Sequence, residues 1–167
     1  MNVWEWLYGK PDTAAIQRYL KQMMKTSDAG RKFIEQWEGL YLHTYNDGVG
    51  VPTIGYGHTS AAGLPHVAYG MHITQEQADQ ILAADLASVE ADVNRLVKVP
   101  INQHQFDALV SFHFNTGALG RSNVLRAVNS HHFSEVPADL NMWCHGGGHV
   151  MLGLVRRRHA EGALFMK

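Results

Sequence analysis

The sequence predicts an α+β fold in which a small antiparallel sheet lobe and a helical lobe are joined by one long helix. Three observations predict it. The run YLHTYNDGVGVPTIGYGH from Tyr41 to His58 is rich in Gly, Pro, Thr and Tyr and carries an Asn46-Asp47-Gly48 turn signal. That is the composition of short, strongly turned strands. Thr74 and Gln77 form a capping box that opens the longest periodic stretch in the chain. After Pro100 the apolar spacing stays helical, beginning with a second capping box at Asn102 and Gln105.

Taken in order, residues 1–25 read as an N-terminal helical extension, with Ile16, Tyr19, Leu20, Met23 and Met24 at helical spacing behind an aromatic decapeptide. Residues 26–167 read as the main domain. Ser27 or Thr26 can cap a helix whose apolar stripe is Phe33, Ile34 and Trp37, and Gly39 lets the chain leave it. The sheet lobe occupies about 40–72. The linking helix, 74–98, carries Ala78, Ile81, Leu82, Leu86, Val89, Val93, Leu96 and Val97 on one stripe. At 1.5 Å per residue it reaches roughly 36 Å, enough to join two lobes. The helical lobe, 100–167, starts with a helix through Phe106, Leu109, Val110 and Phe114, and further helices fit 122–129, 132–142 and 152–164. The Gly146-Gly147-Gly148 run separates the last two.

The chain of 167 residues is 46% hydrophobic and 17% charged, a globular composition that can bury one core, undivided or split between two lobes. Its formal net charge of -1 does not advertise a polyanion as partner, so nucleic-acid binding is not expected. One cysteine, Cys144, excludes an intrachain disulfide. No segment reads as a signal peptide or as a membrane span.

The candidate chemistry lies in two carboxylates. Glu38 follows Trp37 at the end of an apolar helix, where apolar surroundings favour the protonated acid. Asp47 sits in a polar turn and should stay ionised, and Thr53 has a hydroxyl that can hold a water beside it. Cleavage of a glycosidic bond needs a proton for the leaving oxygen and a carboxylate on the other side of the sugar ring. Spacing alone leaves the bland alternative open: a surface Glu, a turn Asp capping its own backbone and a strand Thr.

The stretch Glu38-Gly39 through Tyr45-Asn46-Asp47 to Thr53-Ile54-Gly55-Tyr56-Gly57-His58-Thr59 resembles the signature of the phage-type lysozymes, or endolysins, of glycoside hydrolase family 24. Ser111-Phe112-His113-Phe114-Asn115-Thr116-Gly117, Ser122, and the tail from Trp143 through Gly153-Leu154-Val155-Arg156-Arg157-Arg158 to Glu161 extend the resemblance over about residues 28–165. The resemblance implies Glu38 as general acid, Asp47 positioning or activating water and stabilising the transition state, and Thr53 holding that water. It implies hydrolysis of the β-1,4 bond between N-acetylmuramic acid and N-acetylglucosamine in bacterial peptidoglycan, with inversion, no cofactor and no metal. It also implies substrate contacts at Asn115, Gly117 and Tyr56, and a structural pair of His58 with Asp85. A monomer is expected, made in a host bacterial cytoplasm and reaching the wall from the periplasmic side once the membrane is permeabilised. Two other readings stay open: an antibacterial effector or bacteriocin with the same activity, and a non-catalytic peptidoglycan-binding protein.

The remaining motifs have bland readings. His58 can serve acid–base chemistry, but two carboxylates make that unnecessary. Cys144, His145 and His149 lack a metal-site spacing. Arg156, Arg157 and Arg158 read either as a solvated face weakly attracted to an anionic wall or membrane, or as an anchor for the last helix through their aliphatic stems. Trp4, Trp6 and Tyr8 read as packing residues.

Overall fold

The computed structural model describes residues 23–48 and 50–167. The expected N-terminal helix and the aromatic residues Trp4, Trp6 and Tyr8 lie outside the described residues.

Helix α1, Asp28–Glu38, is capped by Ser27, whose hydroxyl accepts from the Gly30 N–H. The cap is itself tied down from a distance, since the Ser27 N–H and Oγ–H both donate to the Asp107 carboxylate. Gly39 ends the helix at φ +71°, donating its N–H to Glu35. Gly30 permits the close approach to Asp107: a Cβ there would lie 2.4 Å from Asp107 Cγ.

Strands β1 (Tyr41–Asn46), β2 (Pro52–Gly55) and β3 (His58–Thr59) form an antiparallel sheet in the order β1-β2-β3. Its only fully buried strand residues lie on β2 and β3: Thr53, Ile54, Gly55 and His58. β1 keeps an exposed face, with Leu42 packed on the core. The turn between β1 and β2 is closed by its own side chains. Asn46 Oδ1 accepts from the N–H of Gly48 and Gly50, and Asp47 Oδ1 accepts from Val51.

Helix α2, Gln75–Leu96, has the full capping box of Thr74 and Gln77 and, at 22 residues, a length of about 33 Å. Its buried stripe is Ala78, Ile81, Leu82, Leu86, Glu90 and Val93. Glu90 is the surprise on that stripe. It accepts from the Thr26 N–H and pairs with Lys25, so a buried carboxylate holds the entry segment against α2. Helix α3, Gln103–Thr116, has the second capping box and is buried at every residue from Phe106 to His113, which makes it the axis of the helical lobe. Helix α6 (Leu152–Phe165) packs along it and along α5 (Val136–Asn141), which packs in turn on α4 (Asn123–Asn129). Single 3₁₀ turns, Leu119–Arg121 and Phe133–Glu135, precede α4 and α5. Gly162 on α6 lets Pro137 of α5 approach closely, since a Cβ there would meet Pro137 Cβ at 3.1 Å.

The segment expected as a glycine separator is a second small sheet, β4 (His145–Gly146) paired with β5 (His149–Val150). Gly147 and Gly148 have φ of +58° and +83°, the two positive values that a tight two-residue hairpin turn requires.

Candidate active site

Glu38 ends α1 at the wall of a cleft of about 320 Å³ lined by Glu38, Tyr56, Gly57, Ala62, Asp85, Ser88, Val89, Phe114 and Asn115. The sheet lobe supplies one side, the middle of α2 the floor, and the end of α3 the other side. Glu38 Oε1 accepts from Arg157 Nη1 at 2.7 Å. Its Oε2 is turned toward Gly57, where even a Cβ would stand only 3.8 Å away. One oxygen is therefore anchored, and the other points across the cleft toward Gly57.

The anchor is buried. Arg157 is 4% exposed and also donates from Nε to Glu161 Oε1 at 3.1 Å and from Nη2 to the Ser111 carbonyl. Glu161, fully buried, accepts in addition from Ser111 Oγ at 2.7 Å and from Arg158 Nη1 at 2.6 Å. Arg158, fully buried, donates from Nη2 to Asn115 Oδ1 and lies over the Phe112 ring at 5.2 Å. Burial pushes the Glu161 carboxyl up against the downward pull of Arg158, Ser111 and Arg157. Burial likewise lowers the Arg158 guanidinium, opposed by Glu161. One buried carboxylate thus joins Glu38 on one wall of the cleft to Asn115 on the other, through two arginines.

This corrects the surface reading of the arginine run. Arg157 and Arg158 are interior ion-pair partners, and Arg156 alone of the three is exposed. Sequence reasoning missed Glu161 and Ser111 as parts of the site. A signal was available: Arg157 and Arg158 stand four and three residues before Glu161, the spacings that pair charges on a helix.

Asp47 and Thr53 do not line this cleft; they share the closing turn of β1 and β2. The Val51 carbonyl accepts from both the Asp47 N–H at 3.3 Å and Thr53 Oγ at 3.0 Å. Thr53 is buried, and with its hydroxyl hydrogen committed it offers lone pairs to any further partner. Tyr45 lies opposite Thr53 in the sheet. Burial raises the pKa of its hydroxyl, and the charges of Tyr41, Asp47 and Glu38 add to the effect, so Tyr45 stands within electrostatic reach of both carboxylates.

Tyr56 lines the cleft with its ring, but its hydroxyl donates to Asp79 and accepts from Gln75 on α2. Gly117 is not among the lining residues. It caps α3 in the left-handed conformation, φ +60°, and donates to the His113 carbonyl. His58 is clamped on both sides, Nδ1 by Asp85 Oδ2 at 2.9 Å and Nε2 by the Pro65 carbonyl at 2.9 Å. Burial raises the Asp85 carboxyl, opposed by its hydrogen bond to His58. Among the described residues no group of three His, Cys, Asp or Glu side chains stands ready to hold a metal ion.

A two-lobed α+β domain with an acid held in the cleft between its lobes has the architecture of a lysozyme. The model of the phage lysozyme family matches residues 35–161. The chain is 40% identical over 146 residues to the endolysin of Salmonella phage P22, covering 86% of this chain and 99% of that one. Among solved structures, it superposes on the endolysin of Escherichia coli O157:H7 phage FAHEc1 with a TM-score of 0.80 at 37% identity, covering 86% and 94% of the two chains. The muramidase domain of SpmX from Asticaccaulis excentricus gives 0.78 at 39% identity, covering 86% and 98%. The chain belongs to the phage lysozyme family. It is a glycoside hydrolase, a muramidase acting on peptidoglycan.

Proposed function

We infer that Glu38 is the general acid that protonates the leaving glycosidic oxygen between N-acetylmuramic acid and N-acetylglucosamine. The observation that carries this is the one-sided anchoring of its carboxyl: Arg157 holds Oε1, while Oε2 faces the open cleft at Gly57. Asp47 stabilises the cation-like transition state and directs a water, and Thr53, tied to the same carbonyl as Asp47, offers that water an acceptor. Asn115, held by Arg158, contacts the glycan from the helical lobe. A water between carboxylate and sugar requires an inverting enzyme. The protein works as a monomer from inside a host cell, reaching the wall after the membrane is permeabilised. Exposed Arg156 is the one residue of the arginine run left to meet an anionic surface.

Two measurements test these roles. Glu38→Gln removes the proton and should lower reducing-end release from purified peptidoglycan by about 10²–10⁴-fold while leaving the fold unchanged. A folded variant that keeps a tenth of the activity refutes the assignment. Proton NMR of the first reducing ends, read before mutarotation, should show the α-anomer; the β-anomer would make Asp47 or another group a nucleophile.

A further inference from the structure

Two tyrosines beside Glu38 have no part in the chemistry described so far. Tyr41 opens β1, three residues after Glu38, and is half exposed. Tyr45 lies four residues further along the strand. In a regular strand such residues stand about 13 Å apart. Here the ring centroids are 4.2 Å apart with their planes inclined at 34°.

The backbone brings them together. Tyr41 pairs with Gly55 and Tyr45 with Thr53, so four steps along β1 match two along β2. The surplus residues bulge β1, and a bulge bends its strand. The bend sets the two rings against one another on the exposed face of the sheet. The Tyr41 ring also folds back over the residue after the acid, its Cε2 3.8 Å from where a Gly39 Cβ would stand. Tyr45, for its part, lies opposite Thr53 on the neighbouring strand.

Nothing in the core requires this pairing. Tyr41 and Tyr45 are absent from the residues that form or pack against the hydrophobic core. Tyr41, half exposed and backed on one side by the Tyr45 ring, keeps an open aromatic surface with a polar tip beside the residue that follows Glu38. That matches the axial C–H face of a pyranose with its hydroxyls and N-acetyl group directed outward.

We propose that Tyr41 and Tyr45 form a stacking subsite for a sugar ring of the glycan, on the sheet lobe next to the cleavage point. The ligand class is a β-1,4-linked N-acetylhexosamine unit adjacent to the one being cleaved. The subsite rests on the muramidase reading, because it takes its ligand from that substrate.

The test is binding of a soluble glycan oligomer without stem peptides, measured by calorimetry in the Glu38→Gln background. Adding Tyr41→Ala or Tyr41→Leu should weaken binding about three- to tenfold, the range of an aromatic contact. Adding Tyr41→Phe should restore it, since stacking needs the ring and not the hydroxyl. Tyr41→Leu keeps apolar bulk without a flat ring, so it also stands in if the alanine variant fails to fold. Equal affinity in all four proteins overturns the subsite. So does a Tyr41→Phe loss as large as that of Tyr41→Ala, which would make the contact a hydrogen bond. A loss seen only with peptide-bearing fragments overturns it as well, assigning the face to peptide. Failure of the muramidase reading would appear elsewhere, as absent reducing-end release by the unaltered protein.

Discussion

Glu161→Gln is the substitution in which the buried network should declare itself. The change keeps the volume of the side chain, so any loss is electrostatic and not a cavity. In the native protein two carboxylates, Glu38 and Glu161, stand against two buried guanidinium groups, Arg157 and Arg158. Glutamine leaves those arginines with one carboxylate between them. Its amide oxygen can accept from only part of the set formed by Arg157 Nε, Arg158 Nη1 and Ser111 Oγ, and its NH₂ group would face donors. Removing one member of a buried pair and stranding the other typically costs about 3–5 kcal/mol. For a chain of this size each kcal/mol moves the midpoint by about 2–4 °C, so the melting temperature should fall by about 6–20 °C.

Urea unfolding followed by circular dichroism measures the loss, and glycan hydrolysis well below the variant's midpoint measures the consequence. Activity should fall too, since Arg157 and Arg158 both lose the group that aims them at Glu38 and Asn115. Replacing the pair together, Glu161→Leu with Arg158→Met, should cost less than the sum of the two single changes, because neither charge is then left alone. A loss below about 1 kcal/mol for Glu161→Gln, or strict additivity in the double variant, would refute the picture of an interdependent network.

Two other outcomes follow from the fold. Gly30→Ala should destabilise by about 2 kcal/mol despite the better helix propensity of alanine, because the new Cβ meets an Asp107 carboxylate fixed by Ser27 and Gln103. A neutral result in urea unfolding would mean that Asp107 can move. Hydrogen bonds from Arg95 and His113 hold the Asp92 carboxyl below its usual range. A lowered folded pKa gives stability that is present above the unfolded value, about 4, and is lost as pH falls through the folded one. The gap in melting temperature between the native protein and Asp92→Asn should therefore be full above about pH 5 and close as pH falls below about pH 4; an equal gap at both ends counts against the assignment.

What could be read from the sequence is what the chain decides locally. The capping boxes at Thr74/Gln77 and Asn102/Gln105 formed where they were expected, because each partner lies three residues from the other. The turned sheet was legible for the same reason, its glycines and Asn46-Asp47-Gly48 fixing backbone geometry within a few residues. The hairpin at His145–Val150 was legible in principle, since a Gly-Gly pair supplies two positive φ values, but a run of three glycines reads equally as a break. The burial of charge was illegible. Asp107 looks like any helix-surface acid until Ser27, 80 residues away, donates two hydrogen bonds to it. Glu90 and Arg157 likewise depend on partners 64 and 119 residues distant.

That last separation has a mechanistic consequence. Glu38 ends the first described helix, and the guanidinium that orients it comes from the last. If Glu38 is the acid proposed above, its carboxyl is set only when α6 has docked on α3 and α5, carrying Arg157 and Glu161 to Ser111. A chain with its sheet lobe formed and its last helix detached would present both carboxylates and Thr53, yet lack the Arg157 hydrogen bond that holds Glu38 Oε1. Orientation within a few tenths of an ångström is a large part of what a catalytic acid contributes. In this protein that precision is a property of the closed helical lobe, and no stretch of the catalytic signature contains it.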